Sequence, residues 1–411
     1  MLNKMKIKQG LKYNIVQFIL LVFLNFLVGA VVGIERSSFF NFAETKFHLK
    51  EGSFLVSFLI AFGLSKAIAN LFTSEILNYK TKKWLLIFGW LIAIPGVLLL
   101  LFANAWWHVI LANIFIGLNQ GFCWSSNVLL KIDLVGNKQR GLAMGFNEFS
   151  GYLAVGVLSF ISGYIILNYN YDVLFYVLLL IVLTGLVLSL FFVKDTKKLL
   201  HQEAIRSSEP IIKSLFKQLT LKHPQLSPVT INGFTNNLID GVYWLMLPII
   251  LVKQNYSIDK IGLLVSVYPI VWAVSQLFTG KLGDIFCRKQ LITVGMVLQI
   301  IGLVFTAYST VGFIIIGSMF IGIGTAFVYP NFLTEVSAVL HPSQRSQGLS
   351  YFRFWRDMGY VGGAIIISLL LPILSPTEIL IIIAFLTTVT TVYAEIKMCC
   401  VLKYFWKTKM C

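Results

Sequence analysis

Charge is what this sequence has least of. Asp, Glu, Lys and Arg together make up 12% of its 411 residues, about half the share of an ordinary soluble domain. With 57% hydrophobic residues and a mean hydropathy of +0.83, that scarcity excludes a soluble or disordered chain. Histidine is almost as sparse: His48, His108, His201, His223 and His341 are the only five, none is placed in a helix core, and no HExxH run occurs. The chain therefore lacks the signature of an intramembrane metallohydrolase. It also lacks a GxxxxGKS or GxxxxGKT loop, so an ATP-driven pump would be without its phosphate cradle. The five cysteines (Cys123, Cys287, Cys399, Cys400 and Cys411) show no metal-ligand spacing. Neither a metal, a cofactor nor a disulfide framework is expected from them.

What the sequence does have is apolar runs of the roughly 20 residues needed to cross about 30 Å of hydrocarbon. They predict twelve transmembrane helices, at 14–34, 52–76, 84–102, 107–130, 141–168, 173–193, 229–251, 261–282, 290–309, 311–333, 348–371 and 378–398. The first run lacks a small-residue cleavage site and reads as helix 1, not as a signal peptide. An all-α membrane protein follows. The longest polar interruption, 194–228, divides the helices six and six, giving membrane domains 1–193 and 229–411. The centre of this linker has the composition of a short basic surface helix or of a charged loop.

The net charge of +16 is explained by its distribution. With both ends on the cytoplasmic side, 25 of the 33 Lys and Arg fall in cytoplasmic segments; Arg36, Lys46, Lys50, Lys253 and Lys260 lie opposite, and three lie inside helices. This asymmetry is the positive-inside rule, so the basicity encodes topology and not a nucleic-acid surface. The expectation is a multi-pass protein of the cell (inner or plasma) membrane, monomeric in the bilayer, with both termini in the cytoplasm.

The two halves echo each other. "KKWLLIFG" (82–89) after helix 2 corresponds to "RKQLITVG" (288–295) after helix 8, and "FNEFSGYLAVG" (146–156) in helix 5 to "FWRDMGYVGGA" (354–364) in helix 11. Weak internal symmetry of this kind marks transporters built from repeated units. Helices 3, 6, 9 and 12 are nearly free of strongly polar residues and suit the lipid-facing periphery. Helices 4 and 7 instead carry stripes: Asn113, Gln120, Trp124, Asn127 and Lys131 on one, Asn232, Asn236 and Asp240 with Asn237 and Trp244 on the other. Such stripes must face protein or water.

Twelve helices in two pseudo-symmetric bundles of six, every third one peripheral, resemble the major facilitator superfamily of secondary transporters. "GKLGDIFCRKQ" (280–290) is similar to the family's signature loop: Gly280, Asp284, Arg288 and Lys289 occupy its Gly, Asp, Arg and Arg/Lys places, and Cys287 replaces its second Gly. The first-half equivalent, "SEILNYKTKK", has Ser74 and Asn78 in place of Gly and Asp. The resemblance implies an interdomain gate of Gly280, Asp284, Arg288 and Lys289, with Asp357 on helix 11, and alternating access around a midplane site. Two departures argue against typical multidrug antiport: Asn113 stands where drug/proton antiporters have an Arg in helix 4, and helix 5 lacks a Gly-Pro motif.

Lys66, Glu148, Asp240, Arg353, Arg356 and Asp357 all lie within predicted spans. An intramembrane charge is costly and marks a candidate site. Lys66 and Asp357 stand about 15 Å and about 14 Å from the cytoplasmic ends of their helices, at one level. The resemblance implies that helices 2 and 11 face each other, so Lys66 is expected to meet the face formed by Arg353, Arg356, Asp357 and Tyr360. Three cations and one anion leave a surplus of +2, suited to an anionic or carboxylate-bearing solute; the alternative is a plain Lys66–Asp357 bridge between domains. The polar residues Asn113, Gln120, Trp124, Asn127, Asn236 and Asn237 complete the candidate binding set. Glu148 and Asp240 have no cation nearby in sequence and are the candidates for proton coupling. Glu35 and Arg36, at the outer end of helix 1, read as an interfacial pair. The expected activity is secondary transport of a small solute coupled to protons or another ion. Proton-driven efflux and a transporter-like solute receptor are the alternatives.

Overall fold

The computed structural model describes residues 9–49, 53–136, 139–196, 211–400, 403, 405–406 and 410. Among these are twelve long helices: α1 (Leu11–Phe47), α2 (Ser53–Tyr79), α3 (Lys82–Leu101), α4 (Trp106–Val135), α5 (Arg140–Asn168), α6 (Tyr171–Phe191), α7 (Leu226–Lys253), α8 (Ile258–Leu282), α9 (Arg288–Ala307), α10 (Val311–Val339), α11 (Pro342–Leu370) and α12 (Pro376–Lys397). The expected basic helix in the linker falls on 197–210, outside the described residues; past it, one helical turn (Leu215–Lys217) runs into a π turn (Gln218–Lys222).

Local chemistry sets several helix ends. Thr81 and Asn170 accept from the backbone N–H groups of Trp84 and Val173, capping α3 and α6. Ser375 and Glu378 form a reciprocal capping box at α12, where Pro376 needs no donor. Elsewhere the helices outrun the apolar runs. α1 continues 13 residues past the predicted end at 34, and α4 carries Lys131 inside the bundle instead of in a loop. The hydropathy rule ends a helix at its first charges, but here the charges turn inward and the backbone stays helical.

Ten of the twelve helices are long and apolar enough to cross a membrane; the other two are α4 and α11. Both carry polar stripes that lower their hydropathy, and both are clasped by neighbours: α4 by α2 and α3, α11 by α2 and α7. Peripheral and central helices separate as expected for α6, α12 and α3, with 33%, 39% and 44% of their apolar windows buried, against 94% for α7. α9 departs at 56%. Its first turn is covered by the C-terminal segment and the last turns of α12: Gln290 donates to the Trp406 carbonyl, and Lys289 pairs with Glu395 of α12 at 3.2 Å.

The halves meet along two seams, α5 against α8 and α2 against α11. Small residues allow the first. A Cβ on Gly280 would lie 3.0 Å from the Gly141 carbonyl and 3.2 Å from the Gly145 Cα, so the absence of side chains is what lets α8 close on α5. Within the first half Gly29 presses on Gly151 in the same way: a Cβ there would lie 2.0 Å from its carbonyl oxygen.

One expectation is overturned. Cys287 and Cys400 are joined by a disulfide with Cα atoms 5.5 Å apart. The residues lie 113 apart, and only the return of the chain after α12 onto the α8–α9 loop brings them together, with the Cys287 N–H donating to the Lys403 carbonyl. Sequence spacing carries no trace of that return.

Candidate functional site

Charged side chains stand in layers along the bundle, and the first layer lies at the end that carries the basic loops. At that end Asp133 on α4 takes Lys82 and Thr196, fastening α3 and the segment that follows α6. Arg288 pairs with Glu335 at 3.1 Å, within its own half, as Lys289 does with Glu395. Of the expected gate residues in this loop, Asp284 reaches across, its carboxylate packed on Gly141 at the start of α5, while Gly280 permits that approach. On the α2–α11 side the same end holds a cleft of about 260 Å³ between the halves, lined by Ser74, Asn78, Lys82, Asp195, Ser343 and Gln347.

The middle layer gathers much of the predicted set. Lys66 lies 3.5 Å from Asp357 across the seam, surrounded by the rings of Phe62, Trp124 and Tyr360. Asp357 also accepts from Asn70 at 2.6 Å and Asn237 at 3.1 Å, and Arg356 stands 3.7 Å away. This carboxylate is saturated. The arginines are not. Arg353 donates one Nη1 bond to Ser125 at 2.6 Å, and Arg356 lays its plane over Tyr329 at 3.8 Å, yet in both the Nε and Nη2 groups are buried without a hydrogen-bond partner. Nε and Nη2 form one edge of a guanidinium, the fork that grips a carboxylate through two parallel bonds. Two such edges stand unused in an interior only 4% and 3% exposed. The void beside them, lined by Lys66, Asn70, Trp124, Tyr152, Tyr329, Arg353, Arg356 and Asp357, is about 10 Å³, room for about one water molecule. The site is closed.

The remaining polar residues divide. Asn127 and Asn236 are buried with both amide atoms unpaired. Gln120 donates to the Val28 carbonyl and Asn113 to that of Val109 in its own helix, while the side-chain oxygen of each is buried without a hydrogen-bond partner. Glu148 accepts from Trp124 at 3.1 Å and Asn147 at 2.7 Å, and Asn147 accepts from the buried Lys131; among the described residues no cation lies within 4 Å of Glu148.

The outer layer corrects the reading of helix 1. Glu35 and Arg36 are not interfacial: they are 0% and 4% exposed, because α1 runs on past them. Arg36 reaches the other half and binds Asp240 at 2.6 Å, with Tyr360 donating to the same oxygen and Trp244 beneath the guanidinium at 4.6 Å. Asp240 therefore has the cation that its sequence neighbourhood did not show. Phe58 and Phe62 pack edge-on against Trp244, and this cluster seals the end away from the basic loops. Glu35 makes no hydrogen bond through either oxygen.

Asn70, Ser125, Tyr152, Tyr329, Glu35 and Arg36 are the residues that sequence reasoning missed at the site. Two of them carried a readable signal. Asn70 lies one helical turn from Lys66, and Tyr152 occupies in "FNEFSGYLAVG" the place that Tyr360 has in "FWRDMGYVGGA".

Comparison with known proteins agrees with this architecture. The family model described as Major Facilitator Superfamily matches residues 15–228 and 229–409, one match per half. Similar solved structures include a POT family transporter in complex with a thioalcohol-conjugated peptide (TM-score 0.75, 12% identity, covering 91% of this chain and 94% of that one). The proton:xylose symporter XylE bound to 6-bromo-6-deoxy-D-glucose aligns with TM-score 0.73 at 14% identity, over 93% and 96% of the two chains. The human organic anion transporter MFSD10 (TETRAN) aligns with TM-score 0.71 at 11% identity, over 92% and 99%. No curated protein matches the chain by sequence.

Proposed function

Because this chain belongs to the Major Facilitator Superfamily and is a transporter, not an enzyme, we propose that it is a secondary active carrier of a small carboxylate-bearing anion, driven by protons. The observation that carries the anion is the pair of unpartnered Nε–Nη2 edges on Arg353 and Arg356. A carboxylate arriving there gains charge-assisted bonds of about 1.5–3 kcal/mol each, which nothing in the closed protein supplies. Lys66 adds a third cation, partly neutralised by Asp357. Trp124, Tyr152 and Tyr329 give the solute's apolar body a wall. One similar structure is an organic anion transporter and another a proton symporter, in keeping with both parts of the reading.

In this reading the bundles 1–193 and 229–411 rock about the middle layer as a monomer, the 194–228 linker joins them, and the basic loops and both termini face the cytoplasm. Asp284 on Gly141 closes one end. Arg36 on Asp240, with the aromatic cluster, closes the other. Glu148 remains a proton candidate. Asp240 does so only when Arg36 lets go, since a carboxylate held by an arginine stays ionised.

The test is a thermal-shift panel of purified protein against succinate, gluconate and N-acetylated amino acids, each paired with its amide or alcohol analogue, with amines and cationic drugs alongside. Stabilisation by acids and not by their neutral analogues, lost in Arg353→Ala and Arg356→Ala, is expected. Stabilisation confined to cationic compounds would overturn the reading.

A further inference from the structure

The chain that follows α12 folds back on the α8–α9 loop, the same loop whose Asp284 carboxylate packs on Gly141 of the other half. Two routes join loop and tail. The covalent one is the Cys287–Cys400 disulfide, which meets the loop three residues past Asp284; both cysteines are 1% exposed. Around it the Cys287 N–H donates to the Lys403 carbonyl at 2.7 Å, and Gln290 accepts from the Phe405 N–H at 2.5 Å. The rings of Phe286 and Phe405 stack at 4.5 Å. The second route is polar. Gln225, just ahead of α7, exchanges two hydrogen bonds with the backbone of Cys399 and donates to Glu335; Glu335 holds Arg288, and Arg288 donates to the Gly283 carbonyl beside Asp284. The gate loop is thus tied to the returning chain on both sides of Asp284. The corresponding loop of the first half, 74–83, contains no cysteine.

We propose that Cys287 and Cys400 form a thiol–disulfide modification site that controls the gate. Oxidised, the bond holds the loop in the shape that seats Asp284 on Gly141; reduced, it lets this end open more readily. The proposal rests on the alternating-access reading above and adds a control to it. In that reading the end with the basic loops faces the cytoplasm, where thiols are kept reduced and a disulfide is usually catalytic or redox-sensing. The physical step is pre-organisation. A loop already fixed in its closing geometry loses little freedom when Asp284 meets Gly141, whereas a loop released from the tail must first be ordered. The reductant is a dithiol. One of its thiolates attacks a sulfur of the bond and its second thiol then attacks the mixed disulfide; two electrons and two protons leave Cys287 and Cys400 as thiols, and the dithiol ends as a disulfide. Lys403, Phe405 and Trp406 lie on the surface, so the tail can lift by local opening to admit it.

Tryptic digestion of protein purified without reductant reads the bond directly. Cleavage after Lys281, Arg288, Lys397 and Lys403 is expected to give a linked species joining 282–288 to 398–403, which is lost after dithiothreitol. Hydrogen–deuterium exchange of the same two samples reads the gate. Reduction is expected to remove protection from the loop amides and, across the seam, from the first hydrogen-bonded turns of α5 at 144–150. The Cys287→Ser, Cys400→Ser double variant should match the reduced form with or without dithiothreitol. Should that variant fail to fold, the two wild-type samples decide. Absence of the linked species overturns the proposal, as does unchanged protection at 144–150 once the bond is cut, or a double variant that still responds to dithiothreitol. Neither readout uses a solute. A wild type that accumulates none of the acids in vesicles, oxidised or reduced, therefore overturns the carrier reading and not the modification site.

Discussion

Asp357 and Glu35 are both carboxyl groups shut inside the bundle, and the fold treats them oppositely. Asp357 has two amide donors and two nearby cations; Glu35 has no donor. The same contrast runs through the cations. Arg36 spends itself on Asp240, while Arg353 and Arg356 hold their forks in reserve. The lesson is that depth alone does not give a buried charge its role. A saturated group is a fastener, and an unsaturated one waits for something the closed protein does not contain.

The largest effect that sharpens this contrast belongs to the fastener. Asp357→Ala leaves Lys66 and Arg356 buried without their anion, and should destabilise the protein by about 3–5 kcal/mol in thermal unfolding. A variant as stable as wild type would break the distinction. Next comes Asp240→Asn, which keeps an acceptor for Arg36 but removes the charge; a loss of about 1.5–3 kcal/mol is expected from the same measurement. Arg356→Ala should cost little stability, since its fork is unused, yet weaken binding of the best carboxylate by about tenfold or more, read by calorimetry. The smallest change is Glu148→Gln. The amide oxygen still accepts from Trp124 and Asn147, so the unfolding free energy should move by less than about 1 kcal/mol.

Much of this was legible in the sequence, and the limit has a physical form. The twelve helices, the six-and-six division and the family follow from apolar run length and the 280–290 motif, which are local. The approach of Lys66 to Asp357 was also legible, because equal depth on two helices that face each other leaves little else for them to meet. Arg36 was not. Its partner lies 204 residues away on α7, and its position just beyond an apolar run looks like a membrane surface until α1 is seen to continue. Glu35 failed for the same reason. The Cys287–Cys400 bond depends on a tail folding back across the second half. The unused arginine edges can be recognised only by accounting for every donor in space.

That last observation carries the proposed function, and Arg356→Lys addresses it directly. The substitution keeps the positive charge and removes the fork. Titration of the tightest-binding carboxylate into wild-type, Arg356→Lys and Lys66→Arg proteins should show affinity lowered about tenfold or more in the first variant and largely kept in the second. Equal binding by wild type and Arg356→Lys would contradict the account, since charge without geometry would then suffice.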